Sequence, residues 1–276
     1  MSVLKVAHIF SYYFIGFYRS RSFYFLLFIV TFAGSLLTYL SLKYFLNYHG
    51  LPIFQNFPAS VLSPEMVLGY IWTFVGSYVP VFAAVFFGSS AISGELENKT
   101  AYSVFPLPVS RTSIFTGKYL ASLVAGLMIV LFYYAFAVVN YTIVFHTVDV
   151  NTFLQSIALS ILFLGAMLSL TFLISSIFNR ATYAYVTVFL IYFLIFTALN
   201  YVIQILYRTF PFYLLSNTST IISRIFFNFN PYDLISLPSV SPVSSGTVLL
   251  YAAVMISYMA VAYFTGLFIF QDKEVK

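Results

Sequence analysis

The chain has 276 residues, of which 62% are hydrophobic, 21% aromatic and only 7% charged, with a formal net charge of +5. A soluble domain carries about a quarter charged residues, and 12 basic plus 7 acidic side chains cannot coat a water-soluble body of this length, so the solvent that fits is lipid. Cysteine is absent, which excludes disulfides, cysteine-based metal sites and thiol catalysis.

Residues 1–21 read as an amphipathic interfacial helix. Val3, Val6, Phe10, Phe14 and Phe17 recur at helical spacing, while Lys5, His8, Tyr12 and Arg19 fall on other faces. Such a helix lies along the cytoplasmic surface, with Arg19 and Arg21 at headgroup depth; the plainer alternative is an extension of the first span. The apolar run that follows is not a cleaved signal peptide, being too long, preceded by two arginines and without a small-residue cleavage pattern.

Between successive charges the chain offers Ser22–Leu42, Met66–Gly94, Tyr119–Val148, Val150–Asn179, Ala181–Tyr207 and Leu234–Gln271. Each reaches the roughly 20 residues that a spanning helix needs. Six transmembrane helices are expected, cored near Phe23–Phe45, Val67–Ile92, Ile114–Phe145, Phe153–Phe178, Tyr183–Leu206 and Thr247–Phe270. The fold class is therefore an all-α polytopic membrane protein, with residues 1–276 forming one membrane domain.

Pro80 falls inside the second run and predicts a kink, because its ring removes a backbone donor and crowds the preceding turn. Asn47–Met66, with three prolines, reads as a structured loop, and tight connections are expected near His146–Thr152 and Asn179–Thr182. The stretch from Tyr207 to Ser245 is apolar and broken by Pro211, Pro231, Pro238 and Pro242. It is expected to form short re-entrant or interfacial helices, at Thr220–Phe229 and Pro231–Leu237, since exposed irregular backbone does not survive in hydrocarbon.

Lysine and arginine fix the orientation, because cytoplasmic loops carry the excess. One side collects Lys5, Arg19, Arg21, Lys99, Arg111, Lys118, Arg180, Lys273 and Lys276, and the other Lys43, Arg208 and Arg224. A multi-pass protein of the cell membrane with both termini cytoplasmic follows. The basic balance then addresses membrane lipids, with Arg19, Arg21, Lys118 and Arg180 near headgroups. No basic patch with interleaved aromatics suggests a nucleic-acid partner.

Titratable groups are scarce where chemistry would need them. His8, His49 and His146 sit at or beyond span ends, and no carboxylate lies in a span core, which argues against a proton-coupled carrier or pump. Gly117-Lys118 is followed by Tyr119, not by the Ser or Thr of a phosphate-binding loop, so no catalytic residue and no cofactor is assigned to this chain. Asn140, Asn200, Gln204, Ser169, Thr171, Ser175 and Ser176 lie within spans and read first as interhelical hydrogen-bonding groups, with pathway lining as the other reading. Ala121 with Ala125, Ser122 with Gly126, and Gly165 with Ser169 are pairs of small residues that let helices approach closely. Asn217-Thr218-Ser219 and Asn98-Lys99-Thr100 have the pattern of sugar acceptors, the first on the expected outer side.

The densest charge interrupts the chain between the second and third spans, at residues 93–113. Glu95 and Glu97 favour the N-terminal end of a short helix, Thr100–Phe105 continue it, and Pro106 and Pro108 stop it. Ser110 is placed to cap the third span. The result is a rigid cytoplasmic knob joined to two spans; the plainer reading is a loop that anchors them by positive charge.

Glu95, Glu97, Thr100, Pro108, Ser110, Arg111, Gly117 and Lys118 together resemble the pattern E-x-E-x-G-T, short apolar stretch, P-x-S-R, then G-K, of type-2 ABC transporter permeases, the ABC-2 exporter family. Lys99 stands at the usual glycine position. The amphipathic N-terminus, the six spans and the apolar region before the last span resemble the family as well. The resemblance implies a permease half without its own ATPase, pairing with a second copy or a related chain. It implies docking of a separate cytoplasmic ABC ATPase subunit, which holds ATP and Mg, through a coupling helix in this loop. Glu95, Glu97 and Arg111 would position the knob, and Ala101, Tyr102, Val104 and Phe105 would fill a groove on the partner. Export by alternating access would run along the first, second and fifth spans, whose aromatic, nearly uncharged faces suit an apolar or amphipathic cargo. A non-transporting membrane anchor or scaffold for a soluble partner is the alternative.

Overall fold

In lipid each backbone N–H and C=O must find a partner within its own segment, so long apolar runs fold as helices. The computed structural model describes residues 3–45, 63–99, 109–146, 148–207, 211–228 and 243–273. Its helices are α1 (Val3–Tyr18), α2 (Arg21–Phe45), α3 (Pro64–Gly76), α4 (Val79–Gly88), α5 (Ser93–Glu97), α6 (Arg111–Phe145) and α7 (Val150–Ile177). They continue with α8 (Ala181–Phe189), a π-helical stretch Leu190–Phe196, α9 (Thr197–Tyr207), α10 (Leu215–Thr218), α11 (Ile221–Arg224) and α12 (Ser245–Asp272). No strand occurs among the described residues.

Six segments are long and apolar enough to cross a membrane: Arg21–Tyr44, Pro64–Glu97, Arg111–Phe145, Val150–Ile177, Ala181–Tyr207 and Ser245–Asp272. These are the six expected. Side chains start several of them. Ser63, Ser110, Asp149 and Ser244 each accept a backbone N–H of the first turn, which satisfies one of the donors a helix start leaves orphaned.

The second span is interrupted twice. Pro80 has no N–H to give the Gly76 carbonyl, and α3 ends at Gly76 with α4 resuming at Val79. A second break, Gly88–Ser93, has no proline and is held open by partners on other spans, as described below.

The fourth span is the centre of the bundle, packing along α12 on one side and against α4 and α6 on the other. The second and fourth spans are the most enclosed and the fifth the least. Glycines allow close crossings: a Cβ on Gly266 would stand 3.0 Å from Leu173 Cα, and one on Gly126 3.1 Å from Leu164 Cδ1. The small residues Ala121, Ser122 and Ala125 are fully buried.

α1 is a helix, as expected, and it packs along the start of α6. Val6, Ile9, Phe10, Tyr13, Phe14 and Phe17 are half-buried while His8, Tyr12 and Ile15 are exposed. Gly117 receives it, since a Cβ there would lie 2.6 Å from Ile9 Cγ2.

At the opposite end, residues 211–228 are packed into the bundle with Leu215, Ile221, Ile222 and Phe227 buried. Of the single helix expected over Thr220–Phe229, the described residues hold only the one-turn α11, with another single turn, α10, just before it. The hydroxyls explain the difference. Thr218, Ser219, Thr220 and Ser223 each donate to the carbonyl three residues back, at 2.7–3.0 Å, competing for the backbone that a longer helix would use. Asn217 is fully buried and donates to the Pro211 carbonyl at 3.3 Å, so it is no sugar acceptor as folded. The segment expected at Pro231–Leu237 and most of Asn47–Met66 lie outside the described residues.

Candidate functional site

The charged residues between the second and third spans converge on the break at Gly88–Ser93. There the helix opens and its backbone groups need partners from elsewhere. Ser175, on the fourth span, accepts the N–H of Ile92 at 3.1 Å and of Ser93 at 3.0 Å, and donates to the Ser89 carbonyl at 2.8 Å. Lys118, on the third span, donates to the Ala91 carbonyl at 2.7 Å.

Lys118 is fully buried, ion-paired with Glu95, and stands 4.7 Å from the centroid of the Tyr13 ring. The Tyr13 hydroxyl donates to the other Glu95 oxygen at 2.5 Å. Burial first, and then the Glu95 charge, push the Tyr13 hydroxyl well above its ordinary range, so it stays a donor at any working pH. Lys118, expected from the sequence near headgroups, has its ammonium enclosed by protein: it lies seven positions into α6, about 10 Å along the axis from Arg111, where the broken second span offers a carbonyl and a carboxylate.

Glu97 reaches a different element. Its Oε2 accepts the backbone N–H of Ala181, the first residue of the fifth span, at 2.9 Å. A carboxylate at a helix start satisfies an orphan donor and faces the positive end of the dipole.

Arg111 Nη1 donates to the carbonyls of Gln271 at 2.6 Å and Lys273 at 2.7 Å, at the end of α12. Lys273 in turn donates to the carbonyls of Ser176 at 2.8 Å and Phe178 at 3.0 Å, closing the end of the fourth span. Partial burial pushes the Lys273 ammonium down from its ordinary value. Each of these cations meets the negative end of a helix.

Of the short helix expected from Glu95 through Phe105, the described residues hold α5, Ser93–Glu97, with Glu95 in its first turn and Glu97 in its last. It ends because Lys99 takes a left-handed conformation, φ 57°, at the position where the family pattern has glycine. Thr100, Ala101, Tyr102, Val104, Phe105 and Pro108 lie outside the described residues. Ser110 caps α6 as expected, its Oγ accepting the Ser113 N–H at 3.3 Å. Arg19, Arg21 and Arg180 are exposed at this same end, with the Arg180 guanidinium 6.0 Å from the Tyr183 ring centroid.

Sequence reasoning missed Tyr13, Ser175 as the support of the break, and Lys273. Tyr13 carried a usable signal, since it falls on the inward stripe with Phe10, Phe14 and Phe17. Of the polar span residues, Asn140 bonds across helices to Trp72 at 3.1 Å, and Ser169 meets the Tyr119 hydroxyl of the third span at 3.0 Å. Asn200 and Gln204 pair with each other along one helix at 3.0 Å, while Thr171 and Ser176 donate to carbonyls of their own turn.

A wholly hydrophobic groove of about 610 Å³ opens between the first, second and fifth spans, lined among others by Phe25, Ile29, Phe82, Phe86, Tyr185 and Phe189. These are the three spans along which the family resemblance implies a pathway.

A family model described as "ABC-2 family transporter protein" matches residues 9–275. No curated protein matches the chain. With six apolar spans, the chain is a multi-pass membrane protein.

Proposed function

This chain belongs to the ABC-2 transporter family as a membrane permease subunit, and from that premise we propose that it forms half of an ATP-driven exporter. It pairs with a second copy or a related chain, and a separate cytoplasmic ATPase holding ATP and Mg drives it through residues 93–113.

The observation that supports this reading is the bonding of α5. Glu97 joins the segment to the first residue of the fifth span, and Glu95 joins it to Lys118 of the third span and to Tyr13 of α1. A partner pressing on the segment therefore displaces bonded helix ends, and a short rigid element moved as a body shifts the spans attached to it. The fifth span is a suitable recipient, being the least enclosed and bordering the 610 Å³ groove. That groove, free of charge and rich in phenylalanine, suits an apolar or amphipathic cargo.

The test is purification in mild detergent with identification of the soluble subunit that accompanies the chain, followed by reconstitution into vesicles. A permease gives ATP-dependent movement of a lipid-like or hydrophobic cargo, and Glu97→Ala lowers transport without releasing the ATPase. Recovery of a partner without any ATP-dependent transport supports the scaffold reading instead.

A further inference from the structure

A second cleft, of about 400 Å³, lies between the first and third spans at the end of the bundle remote from α5. Its walls include Ser35, Thr38, Tyr39, Phe136 and Val139, with Asn140 at the base. Tyr39 and Val139 are more than half exposed, so the cleft opens sideways toward lipid, whereas Asn140 is 1% exposed.

Asn140 is held in an orientation that leaves work undone. Its Oδ1 accepts from Trp72 Nε1 at 3.1 Å. The indole N–H is only a donor, so the atom facing it must be the amide oxygen. Among the described residues the buried Nδ2 has no hydrogen-bond partner, and a buried donor left so carries its full desolvation cost. Thr38 has spent its proton on the Gly34 carbonyl at 2.8 Å. Asn140, which lines the largely apolar cleft, thus carries an unsatisfied donor.

A cation stands at its lip. Lys43 lies one helical turn beyond Tyr39, its ammonium 5.9 Å from the Tyr39 ring centroid and 5.3 Å from that of Tyr44. Along the first span the order is Lys43, then Tyr39 level with Asn140, then Ser35 level with Phe136, each step about 6 Å. Read from the bundle end inward, that is cation, hydrogen-bond donor, apolar wall.

We propose that this cleft binds one phospholipid molecule of the adjoining leaflet. Its phosphate meets Lys43, an ester carbonyl accepts from Asn140 Nδ2, and an acyl chain runs inward along Phe136. A water molecule, whose share of liquid volume is about 30 Å³, would fill little of the cleft and find few polar partners. The proposal is independent of export direction and of the ATPase.

Trp72 is the sole tryptophan and is itself 1% exposed, so its fluorescence reports on this site while bulk lipid stays out of contact. The experiment places the full chain in vesicles of phosphatidylglycerol or phosphatidylcholine carrying brominated acyl chains. Trp72 should be quenched, with half-quenching at an about fivefold lower fraction of the anionic lipid, the preference expected of one lysine near the surface. Ser35→Phe, at an exposed position, fills the cleft and should abolish quenching; Lys43→Gln should retain quenching but erase the preference. Native-like elution from gel filtration confirms that both variants fold. Unquenched Trp72 in the parent chain, quenching that persists in Ser35→Phe, or a preference unchanged in Lys43→Gln overturns the proposal.

Discussion

Glu97 and Ala181 are 84 residues apart in sequence and meet at 2.9 Å, carboxylate oxygen to backbone N–H, across the start of the fifth span. The bond is exposed, so its value for stability is that of a helix cap, about 0.5–2 kcal/mol. On the function proposed above it would also serve coupling, because it is a direct hydrogen bond from α5 to this span. Glu97→Gln keeps an acceptor and should retain most coupling. Glu97→Ala should cost about 1 kcal/mol and reduce ATP-driven transport several-fold while the ATPase still co-purifies. Transport per ATP hydrolysed is the quantity to measure, and an unchanged ratio in Glu97→Ala would remove the bond from the mechanism.

Lys118 and Glu95 make a stronger prediction because the ammonium is buried. Breaking one side of a buried ion pair costs about 3–5 kcal/mol, mostly as the penalty of the charge left behind. Lys118→Met should therefore lower the unfolding midpoint in detergent sharply, and adding Glu95→Gln should recover a large part of that loss. Tyr13→Phe removes only the hydroxyl and should cost about 1–3 kcal/mol. The raised value of the Tyr13 hydroxyl sets the sign with pH. Its contribution is complete below the ordinary tyrosine value of 10.0 and is lost only as pH rises through the higher folded value. The parent and Tyr13→Phe should thus differ by a constant amount between pH 6 and 9, as thermal unfolding across that window will show.

The six spans were legible because their length and lack of charge leave no other solvent, and the Pro80 break because proline removes a donor wherever it stands. The second break was not. Nothing local in Gly88–Ser93 forbids a helix, and the groups that hold it open, Ser175 and Lys118, arrive from spans that begin after it in sequence. For the same reason Lys118 reads as a headgroup lysine in isolation and as a buried partner only once Glu95, Ala91 and Tyr13 surround it. Charges at span ends are visible in a sequence; which helix end each one closes is a property of the packing.

Gly117 tests whether α1 is a docked element or a loose surface helix. A Cβ there would stand 2.6 Å from Ile9 Cγ2 and 3.4 Å from the Phe10 backbone N. Alanine can be met by a shift of Ile9, but Gly117→Val must push the α1 backbone off α6 and so part Tyr13 from Glu95. Overpacking of this kind costs about 1–3 kcal/mol. Limited proteolysis should cut within residues 3–18 faster in Gly117→Val than in the parent, and equal rates would mean that α1 does not depend on this contact.

Lys99 offers the opposite test, a substitution expected to stabilise. It holds φ 57°, a conformation that places Cβ against the following carbonyl and costs a non-glycine residue about 1–2 kcal/mol. Its N–H still serves, bonding the Leu96 carbonyl at 3.2 Å as α5 ends, and its side chain is exposed. Lys99→Gly therefore keeps the turn and relieves the strain, although glycine gives back part of the gain through the greater freedom of its unfolded chain. A net gain of about 0.5–1 kcal/mol should appear as a higher unfolding midpoint, with transport unaltered. A lower midpoint would show that the lysine side chain contributes a contact outweighing the backbone strain.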